Sequence, residues 1–145
     1  MVCFNVPMSE VKISGLNHLT LAVTDLSRSV AFYRDVLGCE LRAIWSEGAY
    51  LEAGSLWLCL SVDSAAATAE RLDYTHYAFD VAAHHYDPLS KRIRAHARLW
   101  KDNKSEGAST YFLDPDGHRL ELHLGSLPSR LTHYRANPDS GVTVL

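Results

Sequence analysis

The segment 15–23 reads GLNHLTLAV, and its alternation over residues 16–23 predicts a β-strand. Because successive side chains of a strand point to opposite faces, His18 and Thr20 share one face and the leucine and valine side chains share the other. A helical pattern follows over residues 26–36, and Gly38 ends it. Three short β-type runs come next, over residues 40–45, 49–53 and 56–62.

The second half of the chain repeats this order of strand and helix signals. A strand is expected over residues 75–81, a helix over 83–96, and strands near 97–101, 109–113 and 119–124. The sequence therefore predicts an α+β fold of two βαβββ modules, about 15–63 and 73–125, whose mixed sheets curve into a cup. We expect one domain over residues 13–145, with an N-terminal extension over 1–12 and a C-terminal helix and tail over 126–145.

Composition narrows the possible partners and compartments. The chain has 145 residues, a formal net charge of −3 and a pI near 6.2, which gives no basic surface for nucleic acid. Three cysteines without a CxxC pair favour a reducing compartment, and the first residues resemble neither a signal peptide nor a membrane span. A cytoplasmic protein that acts on small molecules is therefore expected.

The internal repeat points to three candidate metal ligands. His18 and His76 occupy matching places in the two modules, and Glu121 lies in the last strand of module two, where module one has Cys59. Two histidines and one carboxylate facing a cavity suit Mn(II), Fe(II) or another divalent ion. A carboxylate on a strand otherwise lined by leucines also needs a metal or a cation as partner. His123 shares the face of Glu121 and is interpreted as a supporting or interface residue. The remaining histidines are expected at the surface: His84, His85, His96, His118 and His133.

The loop over residues 101–111 collects cations and hydroxyl groups. Such a set can hold a phosphate-like anion, although a solvated turn is the alternative interpretation. Arg130, on the predicted C-terminal helix, can add a planar donor. The anion-binding candidates of the loop are Lys101, Lys104, Ser105, Ser109 and Tyr111.

Seven runs of sequence resemble one known family. They are GLNHLTLAV (15–23), GAYL (48–51), LWLCLS (56–61), DYTHYAF (73–79), SEGAS (105–109), YFLDPDGH (111–118) and LELH (120–123). In this order they resemble the fosfomycin-resistance glutathione transferases of the vicinal oxygen chelate superfamily, which are similar to glyoxalases. The resemblance covers nearly all of residues 13–135 and departs in the N-terminal extension and over 82–99.

This resemblance implies a set of site residues. It implies that His18, His76 and Glu121 bind a divalent ion, usually Mn(II). Thr20 would approach the epoxide oxygen, and Tyr50 would orient the thiol. The residues implied to line or contact the phosphonate substrate are Trp57, Lys101, Lys104, Ser105, Ser109, Tyr111 and Arg130. Those implied to hold a potassium ion are Asn103, Ser105, Gly107 and Ser109.

The implied activity is the addition of glutathione to the epoxide of fosfomycin, which confers resistance to this antibiotic. The implied assembly is a homodimer in which each site takes His18 from one subunit and His76 with Glu121 from the other.

Four alternatives remain open at this stage. Water could replace the thiol, since the hydrolytic branch of the family carries a carboxylate base at the position of Gly48, next to Glu47. The others are transfer of another thiol, an Fe(II) ring-cleavage dioxygenase and a metal-free drug-binding protein.

Overall fold

The computed structural model describes residues 7–145, apart from the side chain of Ser9, and shows two four-stranded sheets. Sheet one has the order β1-β4-β3-β2, and sheet two has the order β5-β8-β7-β6. In each sheet the first strand pairs parallel with the last strand of its module, and the remaining pairs are antiparallel. The predicted repeat is therefore confirmed. The strands are β1 (His18–Val23), β2 (Glu40–Trp45), β3 (Gly48–Ala53), β4 (Leu56–Val62), β5 (Tyr77–Asp80), β6 (Leu99–Lys101), β7 (Ala108–Leu113) and β8 (Arg119–Leu124).

Among the described residues, three α-helices accompany the sheets: α1 (Leu26–Ala31), α2 (Ala83–His96) and α3 (Leu127–Ala136). The Asp25 carboxylate caps α1 by accepting a hydrogen bond from the Arg28 N–H. Helix α1 continues as a π-helical turn over Phe32–Val36, and the chain then turns at Gly38, whose φ is +79°. Within residues 7–145, no helix has the length and apolar character needed to cross a membrane.

Two predicted strands are shorter than their sequence patterns. Strand β5 begins at Tyr77 because the Thr75 N–H is already bound to the Asp73 side chain in a local turn. Strand β6 begins at Leu99 because the Ala97 N–H still bonds back to the Ile93 carbonyl at the end of α2. In both places a local hydrogen bond competes with the sheet for the backbone donor.

The apolar faces of both sheets pack with α1 and α2 into one core. Phe32, after α1, and Phe112, in β7, join the two modules with ring centroids 6.3 Å apart. Because side chains alternate along a strand, the polar faces of the two sheets point away from this shared core. The buried residues of the core are Leu21, Val23, Val30, Phe32, Tyr33, Cys39, Ala49, Leu51, Leu58, Leu60, Ile93, Phe112, Leu120 and Leu122.

A buried polar network also joins the modules, through the turn between β7 and β8. The fully buried Asp116 accepts hydrogen bonds from the Thr24 hydroxyl at 2.6 Å and from the Ser29 hydroxyl at 3.3 Å. His118 lies in the same turn, and its Nε2 is 2.8 Å from the Ala22 carbonyl oxygen. The expectation that His118 is a surface residue is therefore wrong, because this contact with β1 draws the ring inward.

Candidate metal and anion site

The polar face of sheet one carries four of the predicted site residues, and we call them the first half-site: His18, Thr20, Tyr50 and Trp57. Strand register places Thr20 beside Cys59 and Cys59 beside Tyr50, so these three side chains form one row across β1, β4 and β3. His18 pairs with Trp57 in the adjacent row, and their ring centroids are 4.5 Å apart. Tyr50 and Trp57 remain 39% exposed, which leaves an aromatic surface open beside His18.

The polar face of sheet two carries the second half-site, in which His76 meets Glu121. The His76 Nε2 atom lies 3.1 Å from one carboxylate oxygen, Oε2. The other oxygen, Oε1, accepts a hydrogen bond from the Ser109 hydroxyl at 2.7 Å. Glu121 is only 7% exposed, so its carboxylate requires partners of this kind.

Both histidines are held in the orientation that a metal ligand needs. The Nδ1 atom of His18 is 2.7 Å from the Asn17 side-chain oxygen, and the Nδ1 atom of His76 is 2.9 Å from the Tyr74 carbonyl oxygen. Both partners are acceptors, so each Nδ1 acts as the donor, and each Nε2 is the ring nitrogen left for a metal ion. Metal-binding histidines are oriented in this way by a carbonyl or carboxylate behind the ring.

The donor set of the second half-site fits a divalent cation. The Nδ1 proton of His76 is donated to Tyr74, so its Nε2 atom faces the Glu121 oxygen, and a divalent cation between these two atoms would have both as ligands. Two ligands that bind one ion at about 2.1 Å and at right angles lie about 3 Å apart, which matches the observed separation.

A positively charged group stands beside this pair. The Lys101 ammonium donates a hydrogen bond to the Tyr74 hydroxyl and lies 4.8 Å from the ring centroids of both Tyr74 and Tyr111. The hydrogen bond to Tyr74 is the main cause that raises the pKa of Lys101, and it therefore favours the charged form of this side chain. Trp100 belongs to the same cluster of aromatic side chains, because its ring centroid lies 5.6 Å from that of His76 and 5.2 Å from that of Tyr111. The Lys101 ammonium within this cluster of aromatic rings can therefore attract an anion next to His76 and Glu121.

The loop before β7 is closed by its own hydrogen bonds. The Asn103 amide donates to the Gly107 carbonyl at 2.8 Å, and the Ser105 hydroxyl donates to the Asn103 oxygen at 3.0 Å. Gly107 has a φ of +86°, which favours glycine at this position. Lys104 is exposed on the same loop.

Arg130 anchors this loop to α3. Its Nε donates to the Glu106 carboxylate at 3.1 Å, and its Nη2 donates to the Glu106 carbonyl at 2.9 Å. Glu106 therefore engages two of the three guanidinium nitrogens of Arg130.

The two half-sites do not meet within one chain. Between residues 7 and 145, no group of three or more His, Cys, Asp or Glu side chains is arranged to hold a metal ion. His76 and Glu121 are together on sheet two, whereas His18 lies with Thr20 and Trp57 on sheet one. Both faces point away from the core that the sheets share.

Sequence reasoning missed the residues that orient the two histidines, Asn17 and Tyr74. Their signal was local, since Asn17 directly precedes His18 and Tyr74 stands two residues before His76. Trp100 was also missed, because a tryptophan in a short strand indicates a core residue as readily as a site wall.

Comparison with known proteins identifies the family. Residues 15–122 match the family described as the Glyoxalase/Bleomycin resistance protein/Dioxygenase superfamily. The chain is 55% identical over 133 residues to the glutathione transferase FosA of Serratia marcescens, covering 90% of this chain and 94% of that protein. It is 34% identical over 132 residues to the metallothiol transferase FosB of Staphylococcus haemolyticus, covering 85% and 92%.

A solved structure supports the same assignment. The fosfomycin resistance protein FosX of Listeria monocytogenes, complexed with Mn(II) and sulfate ion, has a TM-score of 0.71 and 32% identity, over 85% of this chain and 99% of that one. The resemblance and the fold predicted from sequence are both confirmed. This chain belongs to the Glyoxalase/Bleomycin resistance protein/Dioxygenase superfamily and, within it, to the fosfomycin resistance proteins and thiol transferases of the Fos group.

Proposed function

We propose that this protein is a Mn(II)-dependent enzyme that adds glutathione to the epoxide of fosfomycin and so inactivates the antibiotic. The observation that carries the proposal is the contact of the buried Glu121 with His76 and Ser109, beside the Lys101 ammonium. This arrangement joins metal ligands to an anion pocket, as a phosphonate substrate requires. The name of the 55% identical relative, a glutathione transferase, supports glutathione as the thiol.

The metal ligands are His18, His76 and Glu121. When bound, a divalent ion acts as a Lewis acid toward the substrate oxygens and stabilises the negative charge that develops as the epoxide C–O bond breaks. The chain's own task is to present two unprotonated Nε2 atoms and one carboxylate oxygen, which the hydrogen bonds to Asn17 and Tyr74 support.

Other side chains bind and orient the two substrates. Thr20 donates a hydrogen bond to the epoxide oxygen, Tyr50 orients the thiol, and Trp57 forms a wall of the fosfomycin site. A cationic site also favours the thiolate, which is the attacking form of a thiol. The residues that contact the phosphonate are Lys101, Lys104, Ser105, Ser109, Tyr111 and Arg130. Among them, Ser109 donates its single proton to Glu121 and therefore offers the phosphonate no hydrogen bond. The oxygens of Asn103, Ser105, Gly107 and Ser109 would hold a potassium ion, which would strengthen the local field on the anion.

The active enzyme is a homodimer with two shared sites. Each site takes His18 from one subunit and His76 with Glu121 from the other. The outward orientation of the two half-sites supports this assembly, because neither is complete alone. An isologous dimer also gives two equivalent sites. We place this dimer in the cytoplasm, where thiols such as the free Cys39 and Cys59 stay reduced.

Hydrolysis is the nearest rival, and the packing around Gly48 weighs against it. A Cβ at this position would lie 2.5 Å from the Trp45 ring and 2.8 Å from the Leu60 carbonyl oxygen. A carboxylate base therefore has no room at position 48, and Glu47 lies exposed in the turn between β2 and β3. A ring-cleaving dioxygenase is disfavoured by Lys101, because such an enzyme would need an apolar slot for its aromatic substrate in place of this cation.

Mass analysis of fosfomycin tests the proposal. The purified protein is incubated with Mn(II) and fosfomycin, together with glutathione, with cysteine or in water alone. The glutathione adduct should be the main product, and Glu121→Gln should form almost none while keeping the fold. A diol formed in water at the same rate would replace transfer with hydrolysis, and the absence of any product would reject the proposal.

A further inference from the structure

His123 lies next to the candidate metal site but has no role in the proposed reaction. It follows Glu121 by two residues on β8, so the two side chains share a face. Register pairs His123 with Ser109 of β7, and the Ser109 oxygen lies 2.7 Å from the His123 Nδ1 atom. The same oxygen lies 2.7 Å from the Glu121 carboxylate. Ser109 therefore bridges His123 and Glu121 through the shorter contacts, and the His123 Nδ1 atom also lies 3.4 Å from the same carboxylate oxygen, Oε1.

The chemistry of a hydroxyl group fixes the direction of these two hydrogen bonds. Ser109 has a single hydroxyl proton, and the ionised carboxylate of Glu121 is an acceptor only. A charged acceptor makes the stronger hydrogen bond, so the proton points to Glu121. The Nδ1 atom of His123 must then carry its own proton and donate it to the Ser109 oxygen. The chain runs from His123 through Ser109 to Glu121.

We propose that His123 is a positioning residue that holds the Ser109 hydroxyl toward Glu121 and thereby leaves one carboxylate oxygen free for the metal. The two oxygens of the Glu121 carboxylate have different partners: Oε1 accepts a hydrogen bond from Ser109, and Oε2 faces His76. Ser109 is buried, so its hydroxyl depends on these protein partners. This inference rests on the proposed function, because it assumes that Glu121 binds a divalent ion.

Two glycines, Gly107 and Gly125, pack against the His123 ring. A Cβ at Gly125 would lie 2.6 Å from the His123 Nε2 atom, and a Cβ at Gly107 would lie 2.9 Å from its Cε1 atom. Gly107 has a positive φ that favours glycine in any case, but Gly125 does not. The contact with His123 is therefore the reason that position 125 excludes a larger residue.

A matched pair of variants separates the hydrogen bond from the shape of the side chain. Asparagine and leucine have nearly the same shape, but only asparagine places an N–H where the histidine has its Nδ1–H. In the purified dimer, His123→Leu should weaken Mn(II) binding about tenfold or more, the usual effect of losing a partner behind a metal ligand. His123→Asn should stay within about threefold of wild type, because the donor is retained. Mn(II) affinity is measured by electron paramagnetic resonance, with thermal unfolding as the check on folding.

Gly125→Ala provides a second test that changes no polar group. The added methyl group displaces the imidazole ring, so Mn(II) binding should weaken in the wild-type background. In the His123→Asn background the ring atoms that it would strike are missing, so Gly125→Ala should have no further effect.

Two results would overturn the inference: wild-type Mn(II) affinity in His123→Leu, or equal losses in His123→Leu and His123→Asn. Failure of the proposed function gives a different pattern, since wild type and Glu121→Gln would then bind Mn(II) equally.

Discussion

Mixing two inactive variants tests whether each site is shared between subunits. His18→Ala removes the ligand on sheet one, and Glu121→Ala removes a ligand on sheet two. Each variant alone should be nearly inactive, because every site in its homodimer lacks a ligand. In a mixed dimer, the Glu121→Ala chain donates His18 to the intact His76 and Glu121 of its partner. One of the two sites is thereby restored.

The expected recovery follows from the separation of the half-sites. Equal amounts of two chains that reassociate at random give about half mixed dimers, each with one good site of two. The mixture should therefore regain about a quarter of wild-type activity, measured as glutathione adduct formed per minute at saturating Mn(II). Mass analysis of the intact dimers confirms that mixing has occurred.

A matched control uses two variants on the same sheet. His76 and Glu121 lie 3.1 Å apart in one chain, so a mixture of His76→Ala and Glu121→Ala chains restores no site and should remain inactive. The shared-site reasoning is refuted if confirmed mixed dimers of the first pair show no recovery, or if the control pair recovers equally.

Three further outcomes are expected. Potassium should accelerate turnover more than sodium, because the loop oxygens must replace the hydration shell of the ion; indifference across a concentration series would remove the potassium site. Asp116→Ala should lower the free energy of unfolding by about 2–4 kcal/mol in denaturant titrations, because the buried Ser29 and the nearby Thr24 lose their acceptor; an unchanged midpoint would contradict this. Burial raises the pKa of the Cys39 thiol to about 11 in the folded protein, so the thiol loses its proton at a lower pH in the unfolded chain than in the folded one. The free energy of unfolding should therefore fall as the pH rises from about 9 to about 11. Cys39→Ala should remove that part of the slope, and an identical slope in both proteins would reject the explanation.

The sequence alone determined the architecture, because hydrophobic periodicity is a local property. Alternation over residues 16–23 assigned His18 and Thr20 to the polar face of β1, and the same pattern assigned Glu121 and His123 to one face of β8. The internal repeat then predicted the order of strands and helices along both modules, which the structure confirms. Candidate metal ligands followed from their matching positions and their chemistry.

Only the tertiary structure decided which of these faces meet. Periodicity predicts that a side chain points away from the core, but it does not predict where that side chain points relative to the other sheet. Because both sheets pack into one core, the His18 face and the Glu121 face lie apart. Contacts such as Arg130 with Glu106 and Asp116 with Thr24 join residues far apart in the chain. The same holds for the space at Gly48, which depends on Trp45 and Leu60. Such contacts depend on how whole sheets and helices pack, and no local pattern in the sequence records them.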